Sequence, residues 1–120
     1  MLACALAAGR IAIGAGLWLA PARSGRALGF EQLDGAALAL GRVAATRDLA
    51  LGGWQLASAG DRDGLRRATA TVAGVDAADA LAFALALRGS STRTAAVRGL
   101  PAAAAASLAG FWLSARLSRD

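Results

Sequence analysis

With 120 residues the chain is long enough for one domain, and its 18% charged and 57% hydrophobic residues depart from the soluble norm, in which about 25% are charged. All thirteen basic residues are Arg, scattered along a chain of net charge +5; they form no basic stripe interleaved with aromatics, which argues against nucleic acid as a partner. A single Cys4 excludes an intrachain disulfide, and without any His the usual zinc-ligand sets cannot be assembled, so no metal or cofactor is expected.

Met1 to Ala20 is apolar apart from Arg10 and stops at Pro21, about the length needed to cross a hydrocarbon core. A cleaved signal peptide competes for these residues, with Ala20-Pro-Ala22 as its small-residue site. The lack of a basic n-region and the interruption at Arg10 count against it. Ala8, Ala12, Gly16 and Ala20 make a small-residue stripe on which another helix, or a second copy of the chain, could approach closely. Gly14-Ala-Gly16 resembles the opening of a dinucleotide-binding turn, but position 19 is Leu19 and no alternating strand and helix pattern follows.

Residues 21 to 34 read as a polar connection, with Arg23, Arg26, Glu31 and Asp34. Asp34 is placed to cap a second helix. On that helix Gly41, Ala44, Ala45, Asp48, Gly52 and Gln55 share one face, with Arg42 and Arg47 on either side of it. This small, polar face should point into a bundle. Ala59-Gly-Asp-Arg-Asp-Gly64 then supplies turn residues. A third helix carries Asp76 and Asp79, three residues apart and nearly on one face. After Gly89-Ser-Ser-Thr92 comes a fourth, in which Pro101 is either a kink or the true start, and Ala102, Ala106, Gly110 and Ser114 repeat the small stripe. Trp18, Trp54 and Trp112 each lie near the C-terminal end of an apolar stretch. An amphipathic ring belongs there at a lipid interface, and a core aromatic is the alternative.

The expected fold is therefore all-α, a four-transmembrane-helix bundle with spans at about 2–20, 35–57, 67–88 and 96–117. The protein is expected in the cell membrane as a multi-pass protein whose partner is the lipid bilayer. Within the spans lie Arg10, Arg42, Arg47, Asp48, Asp76 and Asp79. A charge near hydrocarbon costs about 2.5 to 3.5 kcal/mol on insertion scales. Three Arg against three Asp suggests a neutral network tying the helices together, for which bidentate Arg to carboxylate contacts are suited. Catalysis is not expected: Asp76 and Asp79 have no His or Tyr to work with, and neither Cys4 nor the serines have a base beside them. Five Arg fall on the side of the termini (Arg62, Arg66, Arg67, Arg116, Arg119) and five on the other (Arg23, Arg26, Arg88, Arg93, Arg98), so the positive-inside rule cannot choose an orientation.

Gly41-Arg42, then Arg47-Asp48-Leu49-Ala50-Leu51-Gly52, and Asp76-Ala-Ala-Asp79-Ala in the next helix resemble an uncharacterised family of small four-helix integral membrane proteins of bacteria and fungi, a domain of unknown function. The resemblance implies that fold and recurring charges at Arg42, Arg47, Asp48, Asp76 and Asp79, and it implies no activity. A second reading is a small proton- or solute-coupled transporter, a drug-exporter-like dimer. Such proteins carry an acidic residue in the first helix, where this chain has Arg10.

Overall fold

The computed structural model describes residues Met1–Arg119, and among them the only regular elements are five helices: α1 (Leu2–Leu19), α2 (Pro21–Leu28), α3 (Gly35–Ala57), α4 (Arg62–Ala86) and α5 (Arg93–Leu117). The first helix ends at Ala20, whose φ of −137° and ψ of 63° are non-helical, as the clash with a following proline requires. Pro21 then opens α2, where a missing N–H is harmless. The connection expected at residues 21 to 34 thus holds a helix of its own. Gly14 and Gly16 lie inside α1, not in a turn.

Just past α2, Gly29 takes a φ of 95°. Its N–H donates to the Arg26 carbonyl, and the N–H of Phe30 donates to that of Gly25, each at 3.0 Å, the two bonds of a Schellman motif. A Cβ at Gly29 would also sit 3.1 Å from the Ala95 nitrogen and the Thr94 carbonyl carbon, so this turn rests directly on the start of α5. Gly29→Ala is expected to destabilise the protein by about 1–2 kcal/mol, the cost of a left-handed residue with a side chain. Thermal unfolding of purified protein in detergent checks this. Gly60→Ala, at a position with open space around it, serves as the control that should not change the midpoint.

Asp34 caps α3 as expected, its Oδ1 accepting from the Ala37 N–H at 2.8 Å. The carboxylate of Asp61 does the same for α4, accepting from the N–H groups of Asp63 and Gly64 at 3.2 and 3.0 Å. That cap starts α4 at Arg62, inside the expected loop, and not near residue 67. The last helix starts at Arg93, and it continues through Pro101. Pro101 therefore does not mark its start.

The helices pair as two antiparallel hairpins, α1 with α3 and α4 with α5. Close approach within each is possible because the meeting residues are small. In the first, Gly14 lies against Ala45 and Leu49, and Gly52 against Ala7 and Ile11. In the second, Gly110 lies against Ala73, while Ser107 Oγ donates to the Ala73 carbonyl at 3.0 Å. The packing stripe of α1 is Ala3, Ala7 and Gly14. It is not the Ala8, Ala12, Gly16 set, of which Ala8 and Ala12 are exposed. Of the stripe expected on α5 Gly110 is buried, Ala106 and Ser114 are half-buried and Ala102 is exposed, while Ala95, Ala96 and Ser107 are buried outside it.

The buried hydrophobic residues are Ala3, Ala7, Ala45, Ala68, Ala73, Ala95, Ala96 and one larger side chain, Val72. Large apolar side chains lie outside: Leu40, Val43, Leu81 and Leu108 are 69%, 67%, 62% and 72% exposed. Between the hairpins packing is sparse. Their ends are joined by α2, where Arg98 donates to the Ala27 carbonyl at 3.0 Å.

Three helices, α1, α4 and α5, are long and apolar enough to cross a membrane. The fourth expected span, α3, has the length but not the composition. It has 23 residues with its charges at the centre, so every 18-residue window of it holds Arg42, Arg47 and Asp48.

Candidate functional site

Where the hairpins face each other, Arg10 on α1 reaches across both. Its Nη1 donates to Asp48 Oδ1 on α3 at 2.9 Å, and its Nη2 donates to Asp76 Oδ1 on α4. One turn further out, Arg47 holds Asp79 in a two-pronged contact, Nη1 to Oδ1 at 2.9 Å and Nη2 to Oδ2 at 2.7 Å. A longer bond of 3.4 Å from Arg47 Nη2 to Asp48 Oδ1 joins the two groups into one chain.

The network is graded in depth. Side chains of Arg10, Asp48 and Asp76 are 12%, 13% and 9% exposed, against 40% and 29% for Arg47 and Asp79. Charge-assisted bonds of this kind strengthen as water is withdrawn, and the Arg10 centre is the more deeply enclosed of the two.

Five of the six charges expected in the cluster are thus together. Arg42 is not with them. It is exposed, with its guanidinium carbon 5.8 Å from the centre of the Trp18 ring and its Nε donating to the Trp18 carbonyl at 3.5 Å. Trp18 in turn donates from Nε1 to Thr46 Oγ1 at 3.1 Å. The network is accordingly not neutral: two Arg face three Asp, a formal charge of −1.

Trp18, Trp54 and Trp112 are all about half exposed and are not core aromatics. Trp18 lies at one end of the bundle. The other two lie at the opposite end, where Arg116 stacks 4.2 Å from the Trp112 ring centre and Ser114 Oγ donates to the Arg66 carbonyl at 3.4 Å.

Two uncharged polar residues belong to the same region. Gln55, expected on the inner face of α3, and Thr69 on α4, which nothing in the sequence singles out, are each 1% exposed. Gln55 Nε2 donates to Thr69 Oγ1 at 3.0 Å, while Gln55 Oε1 has no partner among the described residues. Thr69 shares the face of α4 that carries Val72, Ala73 and Asp76, and a lone hydroxyl there is too common to mark it.

The space left between the hairpins is a cleft of about 690 Å3. Its walls are mainly apolar, from Ile13 and Leu17 on α1 to Val72 and Phe83 on α4 and Ala103 and Ala106 on α5. Leu28, Phe30 and Leu33, in and after α2, line its end. Arg10, Arg47, Asp48, Asp76 and Asp79 are the ionisable groups on its wall, and Gln55 and Thr69 lie deeper along it. No family model matches this chain, and neither a curated protein nor a solved structure matches it.

Proposed function

We propose that this is a non-enzymatic, multi-pass integral membrane protein with four spans, in which the Arg/Asp network serves to hold the two hairpins together. The observation that carries this reading is the distribution of side-chain size: alanine and polar groups inside with Val72 as the one larger apolar residue, and large apolar side chains such as Leu40, Val43, Leu81, Leu108 and Phe111 outside. In water this inverts the driving force for folding. In lipid, where tails are as apolar as leucine, it is what close helix packing favours. Trp rings at both ends agree with two interfaces.

Under this reading α3 is the fourth span despite its composition, because its charges are accommodated by its neighbours. Asp48 and Arg47 are taken up by Arg10 and Asp79, and Arg42 lies beside Trp18. A charge inside a bundle that faces a partner costs far less than one facing lipid. The resemblance to four-helix membrane proteins of unknown function belongs to the same proposal. Coupled transport is the second reading, favoured by the cleft with a charged wall.

Four spans put both termini on one side, and three spans put them on opposite sides. Reporters fused to the N- and C-termini should therefore give equal outside fractions, whether the chain inserts one way or both. Complementary fractions would show that α3 does not cross.

A further inference from the structure

We propose that the cleft between the hairpins binds a monovalent organic cation with an apolar body, its charge held by Asp76 and Asp48. The inference goes beyond the packing role, and shares with it only the positions of the network residues.

Three observations point the same way. The first is the charge count: the ionisable side chains on the cleft wall are two Arg and three Asp, leaving one negative charge over. Arg42, which would have balanced them, is beside Trp18. An uncompensated charge in a setting this apolar is costly unless something neutralises it.

The second is the pattern of bonds. Both arginines spend their contacts on Asp79 and on a single oxygen each of Asp48 and Asp76. Among the described residues no hydrogen bond reaches the Oδ2 of Asp48 or of Asp76, although Asp76 is only 6% exposed. These are the acceptors on which the surplus charge is available to a ligand.

The third is Gln55. Whichever way its amide is turned, one end meets Thr69 and the other has no partner among the described residues. It lies seven residues from Asp48 on α3, roughly 10 Å along the helix at 1.5 Å per residue. A cleft of about 690 Å3, apolar apart from these few groups, matches the general form of small-molecule sites. The occupant that fits is not a small hydrated ion, which would lose its water to apolar walls. It is a cation whose bulk is hydrocarbon or aromatic, able to lie against Phe83 and Val72 while its charge meets the carboxylates.

The test uses two ions of the same shape and opposite sign, tetraphenylphosphonium and tetraphenylborate. Each is titrated calorimetrically into the full-length protein in detergent, with protein-free micelles subtracted. Saturable one-to-one binding of the phosphonium is expected, with the borate about tenfold weaker or more. Asp76→Asn should remove that preference. Ala102→Phe, at an exposed position on the cleft wall, should weaken phosphonium binding without lowering the unfolding midpoint. Equal uptake of both ions would mean an apolar cleft filled by lipid or detergent and would overturn the proposal, as would absence of saturable phosphonium binding or a preference surviving in Asp76→Asn. Should Asp76→Asn fail to fold, the comparison of the two ions on the unsubstituted protein, with Ala102→Phe as the block, still decides. Terminal reporters read topology and these titrations read the cleft, so either proposal can fail alone.

Discussion

Arg10→Met is expected to destabilise the protein by about 3 to 5 kcal/mol, because it leaves the buried carboxylate of Asp76 and the half-buried one of Asp48 without their shared partner. The double substitution Arg10→Met with Asp76→Leu should recover a large part of that loss. It removes the carboxylate that has no other arginine, while Asp48 keeps its contact to Arg47. Arg47→Met should cost less than Arg10→Met, since the carboxylate it leaves behind, Asp79, is 29% exposed against 9% for Asp76. Unfolding of each purified variant in mixed micelles of increasing denaturing detergent gives the order. Equal losses for Arg10→Met and Arg47→Met would show that depth does not rank these contacts, and a double variant worse than the single would show that the pair is not coupled.

The second large effect is expected at the closest approach of α1 and α3. A Cβ at Gly52 would lie 2.7 Å from Ile11 Cγ1 and 3.0 Å from the Ala7 carbonyl oxygen. The isoleucine can turn aside, but the backbone oxygen cannot. Gly52→Leu must therefore separate the helices, at a cost of about 1 to 3 kcal/mol or above. Gly53→Ala, one position along, has nothing within 4 Å of the new methyl group. It should be neutral or gain a few tenths to about 1 kcal/mol from helix propensity. The same detergent titration reads both variants. If the two behave alike, the hairpin is not packed through Gly52.

Much of this geometry is legible in the residues themselves. Charges inside long apolar stretches must find one another, a rule that groups Arg10, Arg42, Arg47, Asp48, Asp76 and Asp79 and holds for all but Arg42. Asp34 announces the start of α3 in the same way, as a side-chain acceptor ahead of a helical run. Arg42 is different. Five residues from Arg47, it lies about 140° away around the helix, so the two arginines could not both turn to the same carboxylates, and the simple balance of three against three conceals this.

Other features depend on choices that composition leaves open. Alanine and glycine are so frequent that α1 offers several stripes at four-residue spacing, and the stripe used is the one beside Arg10. Pro21 reads as a stop, yet it serves equally as the first residue of α2, whose polar content resembles that of a loop. The cleft is not legible at all, because it is set by how far apart the two hairpins come to rest.

The division into hairpins also bears on how the chain is made. Of the network residues, the first half to be synthesised, α1 to α3, supplies Arg10 and Arg47 with Asp48, and the second half supplies Asp76 and Asp79 and no Arg. Each half alone therefore leaves network charge unmatched, positive in the first and negative in the second. Only when α4 has left the ribosome can Arg10 meet its second carboxylate, so under the proposed membrane reading stable insertion of the early half depends on a segment not yet translated when that half emerges.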